Sequence, residues 1–224
     1  MEKFAVIVAG GSGLRMGTDT PKQFLLLKDK PVLWHTISHF LEAFKDLICI
    51  VVLPQEHIEK GEEIKAMFGI DHKRIITTVG GQTRFQSVKN GLKLVNKDSI
   101  VFVHDGVRCL VDDALIKRCY EQAIEKGSAI PAVAAIDSIR IFDGSNDKVA
   151  DRNNVKIIQT PQTFQSEILL EAFEQEFDES FTDEATVVEA MGKQVFLCNG
   201  DYTNIKITKP VDLLVAESFL ASVK

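Results

Sequence analysis

The residues best suited to chemistry in this chain begin with Ala9-Gly10-Gly11-Ser12-Gly13-Leu14-Arg15-Met16-Gly17, continued by Pro21-Lys22-Gln23-Phe24-Leu25. Unhindered glycine N–H groups after a strand can point at phosphate oxygens and cradle an anion. Arg15 adds a planar donor fork and Lys22 a compact point charge, with Pro21 stiffening the backbone before it. Together they suit a polyphosphate chain. Neither common nucleotide fingerprint is met: the third glycine of G-x-G-x-x-G would fall at Met16, and no Gly-Lys-Ser/Thr follows to make a P-loop.

Two other loops hold unusual residue sets, Gly80-Gly81-Gln82-Thr83-Arg84-Phe85-Gln86-Ser87-Val88 and His104-Asp105-Gly106-Val107-Arg108-Cys109. For the three to act together, the fold must bring them to one place. Apolar runs at Lys3–Ala9, Leu47–Leu53, Ile75–Val79, Ser99–Val103 and Ser128–Val133 read as strands. Helical patterns lie between them. Pro31 opens one through Leu33, Ile37, Phe40 and Phe44; a charged one runs from Glu56 to about Phe68; Phe85, Val88, Leu92 and Val95 line a third. Asp112 and Asp113 start a fourth, which runs to about Lys126 and stops at Gly127.

Strands that are apolar throughout, each followed by a helix, predict an α/β fold whose mostly parallel sheet is covered on both faces. Right-handed crossovers put every strand's C-terminal end on one edge, where ligands bind in open sheets. Residues 10–23, 80–84 and 104–109 all follow strands, so they are expected to converge there.

The rhythm breaks at residues 134–163. Ser138–Phe142 alternates, 143–147 is a turn cluster, and Val155–Ile158 is expected to return, making a β-arm that leaves the sheet. Helices at about Ser166–Phe177 and from Thr182, a strand at Gln194–Cys198 and a final helix near Pro210 complete one domain spanning 1–224.

Composition excludes several classes. The 224 residues carry 26 basic and 32 acidic side chains, a net charge of −6, which argues against nucleic-acid affinity. No apolar run approaches the ~20 residues needed to cross a bilayer. Cys49, Cys109, Cys119 and Cys198 are dispersed with no Cys-x-x-Cys pair, as expected of a cytoplasmic protein with free thiols.

In their order along the chain, the three loops together with Asp151-Arg152-Asn153, Gln159-Thr160-Pro161-Gln162, Thr182-Asp183-Glu184-Ala185 and Asn204-Ile205-Lys206-Ile207-Thr208 resemble the polyol-phosphate cytidylyltransferases of the sugar-nucleotidyltransferase superfamily. The similarity is closest to the 2-C-methyl-D-erythritol 4-phosphate cytidylyltransferase family of the non-mevalonate isoprenoid pathway, and it covers nearly the whole chain. It implies a Rossmann-like sheet flanked by helices with a protruding arm, and transfer of CMP from CTP to a polyol phosphate.

The resemblance also implies roles. Ala9, Gly10, Gly11, Ser12 and Gly13 would cradle the triphosphate, with Arg15 and Lys22 stabilising charge as pyrophosphate departs. Gly81, Gln82, Arg84 and Ser87 match the segment that holds the cytosine. Asp105 is the expected Mg²⁺ ligand, its other reading being a turn-forming residue before Gly106. Arg108, Arg152, Thr160, Thr182 and Lys206 match the acceptor side, where Arg152 and Lys206 would clamp the polyol phosphate. Thr182 equally reads as a helix N-cap. The arm reaches a neighbouring subunit in the family, which implies a homodimer with composite sites. His104 is given no catalytic role, since a phosphate-monoester nucleophile is already anionic.

Two departures from the family pattern stand out. Gly10 replaces a common Ala and also occurs in ribitol 5-phosphate cytidylyltransferases, so ribitol 5-phosphate stays open as the acceptor. Cys109 replaces a rigid Pro, which is expected to loosen its loop. The Thr182-Asp183-Glu184-Ala185-Thr186 segment favours methylerythritol phosphate. A different nucleotidyltransferase and a non-catalytic nucleotide-binding relative are the more distant readings; Arg15, Lys22, Asp105, Arg152 and Lys206 together argue against the second. Residues 157–192 hold nine carboxylates and no Lys or Arg, which leaves the remainder at +3. The acidity is thus expected to lie in one solvated helical stretch, away from a cationic site.

Overall fold

A computed structural model of the chain describes residues 1–11 and 20–222. The elements of the first half are β1 (Glu2–Val8), a short hairpin of β2 (Leu26–Leu27) and β3 (Lys30–Pro31), α1 (Val32–Ala43), β4 (Leu47–Leu53), α2 (Ile58–Ala66), β5 (Ile75–Val79), α3 (Arg84–Leu92) and β6 (Ser99–Asp105). There follow α4 (Asp113–Lys126), β7 (Ser128–Ala134), a hairpin of β8 (Ile139–Phe142) and β9 (Asp147–Ala150), β10 (Lys156–Ile158) and β11 (Gln162–Gln165). Last come α5 (Ser166–Ala172), α6 (Glu184–Ala190), β12 (Leu197–Asn199) and α7 (Pro210–Ser222).

β5, β4, β1 and β6 pair in that order, all parallel. Both faces are covered, which is why these strands are apolar from end to end. In β1, Ala5 and Ile7 pack with Leu33, Ile37 and Phe40 of α1 and Leu115, Ile116 and Cys119 of α4. Phe4 and Val6 face the other way, onto Val88 and Leu92 of α3, with Leu169 of α5 and Val188 of α6 in the same cluster. Each large apolar side chain fully buried in this way contributes about 1.5–3 kcal/mol. A third cluster joins Leu27, Val32, Val107, Cys109, Ile207 and Ala216, tying α7 to the site loops. α4 begins and ends as its sequence requires: the Asp112 carboxylate accepts from Leu115 N at 2.8 Å, and Gly127 closes the helix at φ +85°.

The strand ladders continue into the loops. Ala9 N donates to Val52 O (2.9 Å), Gly80 N to Leu53 O (2.8 Å) and Gly106 N to Val8 O (2.9 Å), so three loops leave the same sheet edge already held. The loop after β6 is not loosened at Cys109. That side chain is fully buried in the third cluster, and Ile207 N donates to Val107 O at 2.9 Å.

Four expectations need correction. The arm is the β8–β9 hairpin, returning at Asp147 rather than Val155, because Asp143 accepts from Ser145 N and Asn146 N and closes a tight turn. Lys156–Ile158 instead rejoins the main sheet antiparallel to β7. β11 is a strand where none was expected, buried and antiparallel between β6 and β7. α5 stops at Ala172 rather than near Phe177. Gln175 Nε2 takes the carbonyls of Ala172 and Val187, both at 2.9 Å, while Phe173, Phe177 and Phe181 gather round Phe85. The last strand is Leu197–Asn199, on the outer edge of β7.

No helix among the described residues is long and apolar enough to cross a membrane.

α3 lies close on the sheet at Gly91, where a Cβ would stand 2.6 Å from Val6 Cγ1 and 3.0 Å from Val52 Cγ2. Gly91→Ala should therefore lower stability by about 1–2 kcal/mol, although Ala outranks Gly by about 1 kcal/mol in helices. Urea unfolding tests this; a raised midpoint would contradict the packing.

Candidate active site

Two cavities open side by side at the C-terminal edge of β1, β4, β5 and β6. The first, about 320 Å³, is lined by residues 9–11 and 80–84 with Lys22, Ser87, Asp105 and Lys206. The second, about 260 Å³, is lined by Arg108, Gln159, Thr160, Gln162, Thr182 and Asp183. Arg84, Asp105 and Lys206 border both. The three loops converge as the strand pattern requires, and the site has two compartments with a shared wall.

That wall is an ion-pair cluster. Asp105 is buried, and three cations surround its carboxylate: Lys206 Nζ at 2.9 Å, Arg108 Nε at 3.4 Å and Arg84 Nε at 3.7 Å. Burial alone would push the Asp105 pKa up, but Arg84, Lys206 and Arg108 hold it well below the usual carboxylate range. The Arg84 guanidinium turns its remaining edge to the fully buried Glu184, with Nη1 on Oε1 and Nη2 on Oε2 at 3.0 Å. Burial holds the Glu184 pKa above its ordinary value, and Arg84 offsets part of that rise. Burial also disfavours charge on Arg84, yet Glu184 and Asp105 keep it protonated, above its ordinary value. Among the described residues, Lys22, Arg84 and Lys206 face the first cavity against the carboxylate of Asp105. The expected cationic lining is present.

A buried network sets the Asp105 loop. His104 is fully buried, and burial lowers its pKa to about 3, so the ring is neutral. Nε2 must donate to the Arg108 carbonyl (3.1 Å), so Nδ1 accepts from the Thr160 hydroxyl (3.1 Å). That hydroxyl in turn accepts from Asp105 N at 3.1 Å. Arg108 Nη1 donates to Asn204 O, and Asn204 Nδ2 to Thr160 O, both at 2.8 Å. Thr160 therefore lines the second cavity with a hydroxyl already engaged inside the protein. The same hydroxyl holds the Asp105 backbone.

The 80–84 loop is similarly self-satisfied. Thr83 caps α3 by accepting from Gln86 N (3.1 Å), and Gln86 Oε1 accepts from Gln82 N (2.8 Å) and Thr83 N (3.3 Å). Ser87 Oγ accepts from Gly81 N at 3.1 Å and donates to Thr83 O at 2.9 Å. These N–H groups and the Ser87 hydroxyl are engaged within the protein, while Gly81, Gln82, Arg84 and Ser87 all border the first cavity. A Cβ on Gly81 would meet Gln86 Cβ at 2.3 Å, so this turn tolerates no side chain there.

Lys22 is buried in a short 3-10 turn at Lys22–Phe24, with its Cε 3.7 Å from where a Gly11 Cβ would be. Gln23 Nε2 pins the Ala9 carbonyl at 2.8 Å. Ser12, Gly13 and Arg15 lie outside the described residues. Arg152 borders neither cavity; it is exposed beside the arm, with Nη1 on Ile136 O at 2.8 Å. Thr182 lines the second cavity but is not the N-cap. Asp183 caps α6 by accepting from Thr186 N at 2.9 Å, and also accepts from Gln162 Nε2 at 2.8 Å.

The acidic stretch is not wholly solvated, since it contains Glu184, the buried partner of Arg84. Sequence reasoning passed over this residue because a carboxylate in a run of carboxylates at a helix start has no pattern of its own. Glu184→Ala should cost about 3 kcal/mol by leaving Arg84 uncompensated. Urea denaturation measures it, and a loss under about 1 kcal/mol would mean an exposed pair.

The family model for 2-C-methyl-D-erythritol 4-phosphate cytidylyltransferase (IspD) matches residues 4–222. The enzyme of that name from Bacteroides fragilis is 46% identical over 220 residues, covering 98% of this chain and 100% of its own. The one from Bacteroides thetaiotaomicron is 44% identical over 222 residues, with 98% and 100% covered. Among solved structures, 4-diphosphocytidyl-2C-methyl-D-erythritol synthase from Anaerococcus prevotii superposes with a TM-score of 0.83 at 27% identity, over 98% of each chain. With its two-compartment site on a mainly parallel sheet, the chain belongs to the 2-C-methyl-D-erythritol 4-phosphate cytidylyltransferase family.

Proposed function

We propose that this protein transfers CMP from CTP to 2-C-methyl-D-erythritol 4-phosphate, releasing pyrophosphate. The observation that carries the reading is the pair of adjoining cavities with Arg84, Asp105 and Lys206 between them, in a chain of this family. CTP occupies the first cavity, its phosphates against Gly10, Gly11 and Lys22. The acceptor phosphate occupies the second, near Arg108 and Lys206. An acceptor phosphate oxygen attacks the α-phosphorus in line, a new P–O bond forms, and the bond to the β-phosphate bridging oxygen breaks. The nucleophile is already anionic, which agrees with a buried neutral His104 that offers no base. What the protein must supply is alignment and positive charge.

Asp105 fits a magnesium ion of the kind that arrives with a nucleotide: one carboxylate, with phosphate oxygens and water completing the shell. Among the described residues no group of three or more His, Cys, Asp or Glu could form an all-protein cage. Asp105 would hold the cation, which would neutralise charge on the triphosphate. Lys206, Arg108 and Arg84 keep that carboxylate ionised and in place beforehand. The four cysteines are free, in keeping with a reducing cytoplasm.

The arm makes the enzyme a homodimer with composite sites. Ile141, Phe142 and Val149 on the hairpin are 63%, 69% and 73% exposed, an apolar surface suited to a second subunit. Arg152, beside the arm and remote from its own chain's cavities, then completes the partner's acceptor side.

Pyrophosphate release from CTP is the direct test, with methylerythritol 4-phosphate and ribitol 5-phosphate as parallel acceptors. Turnover should favour methylerythritol 4-phosphate by at least about tenfold, or ~1.4 kcal/mol; the reverse order would assign the protein to ribitol phosphate. For the composite site, Arg152→Ala and Lys206→Ala should each be nearly inactive alone. Subunit exchange between them should restore about a quarter of wild-type turnover, since half the dimers carry one intact site. No recovery would place both residues in one chain's site.

A further inference from the structure

Cys119 and Cys198 are distant in the chain but meet in the fold. Cys119, in α4, is fully buried and faces the sheet; Cys198, in β12, is half-buried, and their Sγ atoms are 3.7 Å apart. A neighbouring side chain already joins the two elements, since Arg118 Nε donates to Asn199 O at 2.9 Å. A disulfide needs an S–S distance of about 2.05 Å, a short approach for a strand on the outer edge of β7. Cys49 and Cys109 are fully buried elsewhere, and burial pushes the Cys109 thiol up to about 12.

We propose that Cys119 and Cys198 are a modification site, forming a reversible intramolecular disulfide on contact with a low-molecular-weight disulfide, and that this bond restrains the acceptor-side segment at residues 199–206. Cys198 is the entry point because it is the accessible member. The Cys119 S–H donates to it and the Arg118 guanidinium stands nearby, and both lower its pKa. Its thiolate attacks one sulfur of the reagent and expels one thiolate, leaving a mixed disulfide. Cys119 then loses its proton, attacks Cys198 Sγ and expels the second. Two protein thiols are oxidised to one disulfide, and one reagent disulfide is reduced to two thiols.

The bond reaches the site through the chain that leaves β12. Gly200 N donates to Ala132 O (2.9 Å) and Asp201 N to Gln159 Oε1 (3.0 Å). The segment ends with Asn204 O on Arg108 and Lys206 Nζ on Asp105. Drawing Cys198 toward α4 tightens the start of this segment.

The test uses the reduced full chain incubated with oxidised glutathione, alkylated and digested with trypsin without reductant. Peptides 119–126 and 194–206 should appear joined and two hydrogens lighter than their sum, with Cys49 and Cys109 alkylated. Dithiothreitol should separate the pair, and Cys198→Ser, at a half-buried edge position, should never form it. Free or persistently glutathionylated Cys198 beside free Cys119 would overturn the proposal. Amide hydrogen exchange at 199–206 should slow at least threefold in the cross-linked protein. Unchanged exchange would overturn the restraint on the site.

Discussion

A buried carboxylate must be balanced, and in this protein that requirement falls on Asp105. Three cations from three parts of the chain, Arg84 at the start of α3, Arg108 after β6 and Lys206 before α7, converge on it. Taking the Asp105 carboxylate out of water costs several kcal/mol, recovered only when geometry and hydrogen bonding are good. The His104–Thr160–Asn204 network and the Glu184 fork on Arg84 supply that geometry. Among the described residues the same balance leaves the first cavity with more positive than negative charge, which a nucleotide triphosphate would meet on entry.

The sheet explains how groups so far apart can be held together. β1, β4, β5 and β6 deliver their loops to one edge, and backbone bonds carry each loop beyond the strand that launches it. Interior hydrogen bonds, not substrate, hold these loops: Gln86 and Ser87 satisfy the 80–84 turn, and Gln23 satisfies Ala9. The described parts of the site are thus largely preorganised, so little of a ligand's binding energy goes into ordering them.

Much of this was legible in the sequence where a strong periodic signal met a clear stop. Leu47–Leu53 and Ile75–Val79 are strands to the residue, α4 begins at its Asp cap and ends at its Gly, and the three loops meet. What was not legible depends on partners far along the chain. Gln162–Gln165 is polar enough to read as loop, and becomes a buried strand only because β6 and β7 flank it. Glu184 was hidden among solvated carboxylates until Arg84 lay opposite. The bond from the Thr160 hydroxyl to His104 was not legible either, because the ring comes from another strand.

β11 has a further consequence, for the order of assembly. The four parallel strands β5, β4, β1 and β6 are all complete once the chain has reached Asp105. β7 reaches β6 only through β11, synthesised after the whole arm has been made. The second cavity therefore depends on residues made after the arm, and loop closure must be completed before its contacts stabilise it. On an emerging chain Asp105 meets Arg84 and Arg108 first, and Lys206 reaches it only near the end.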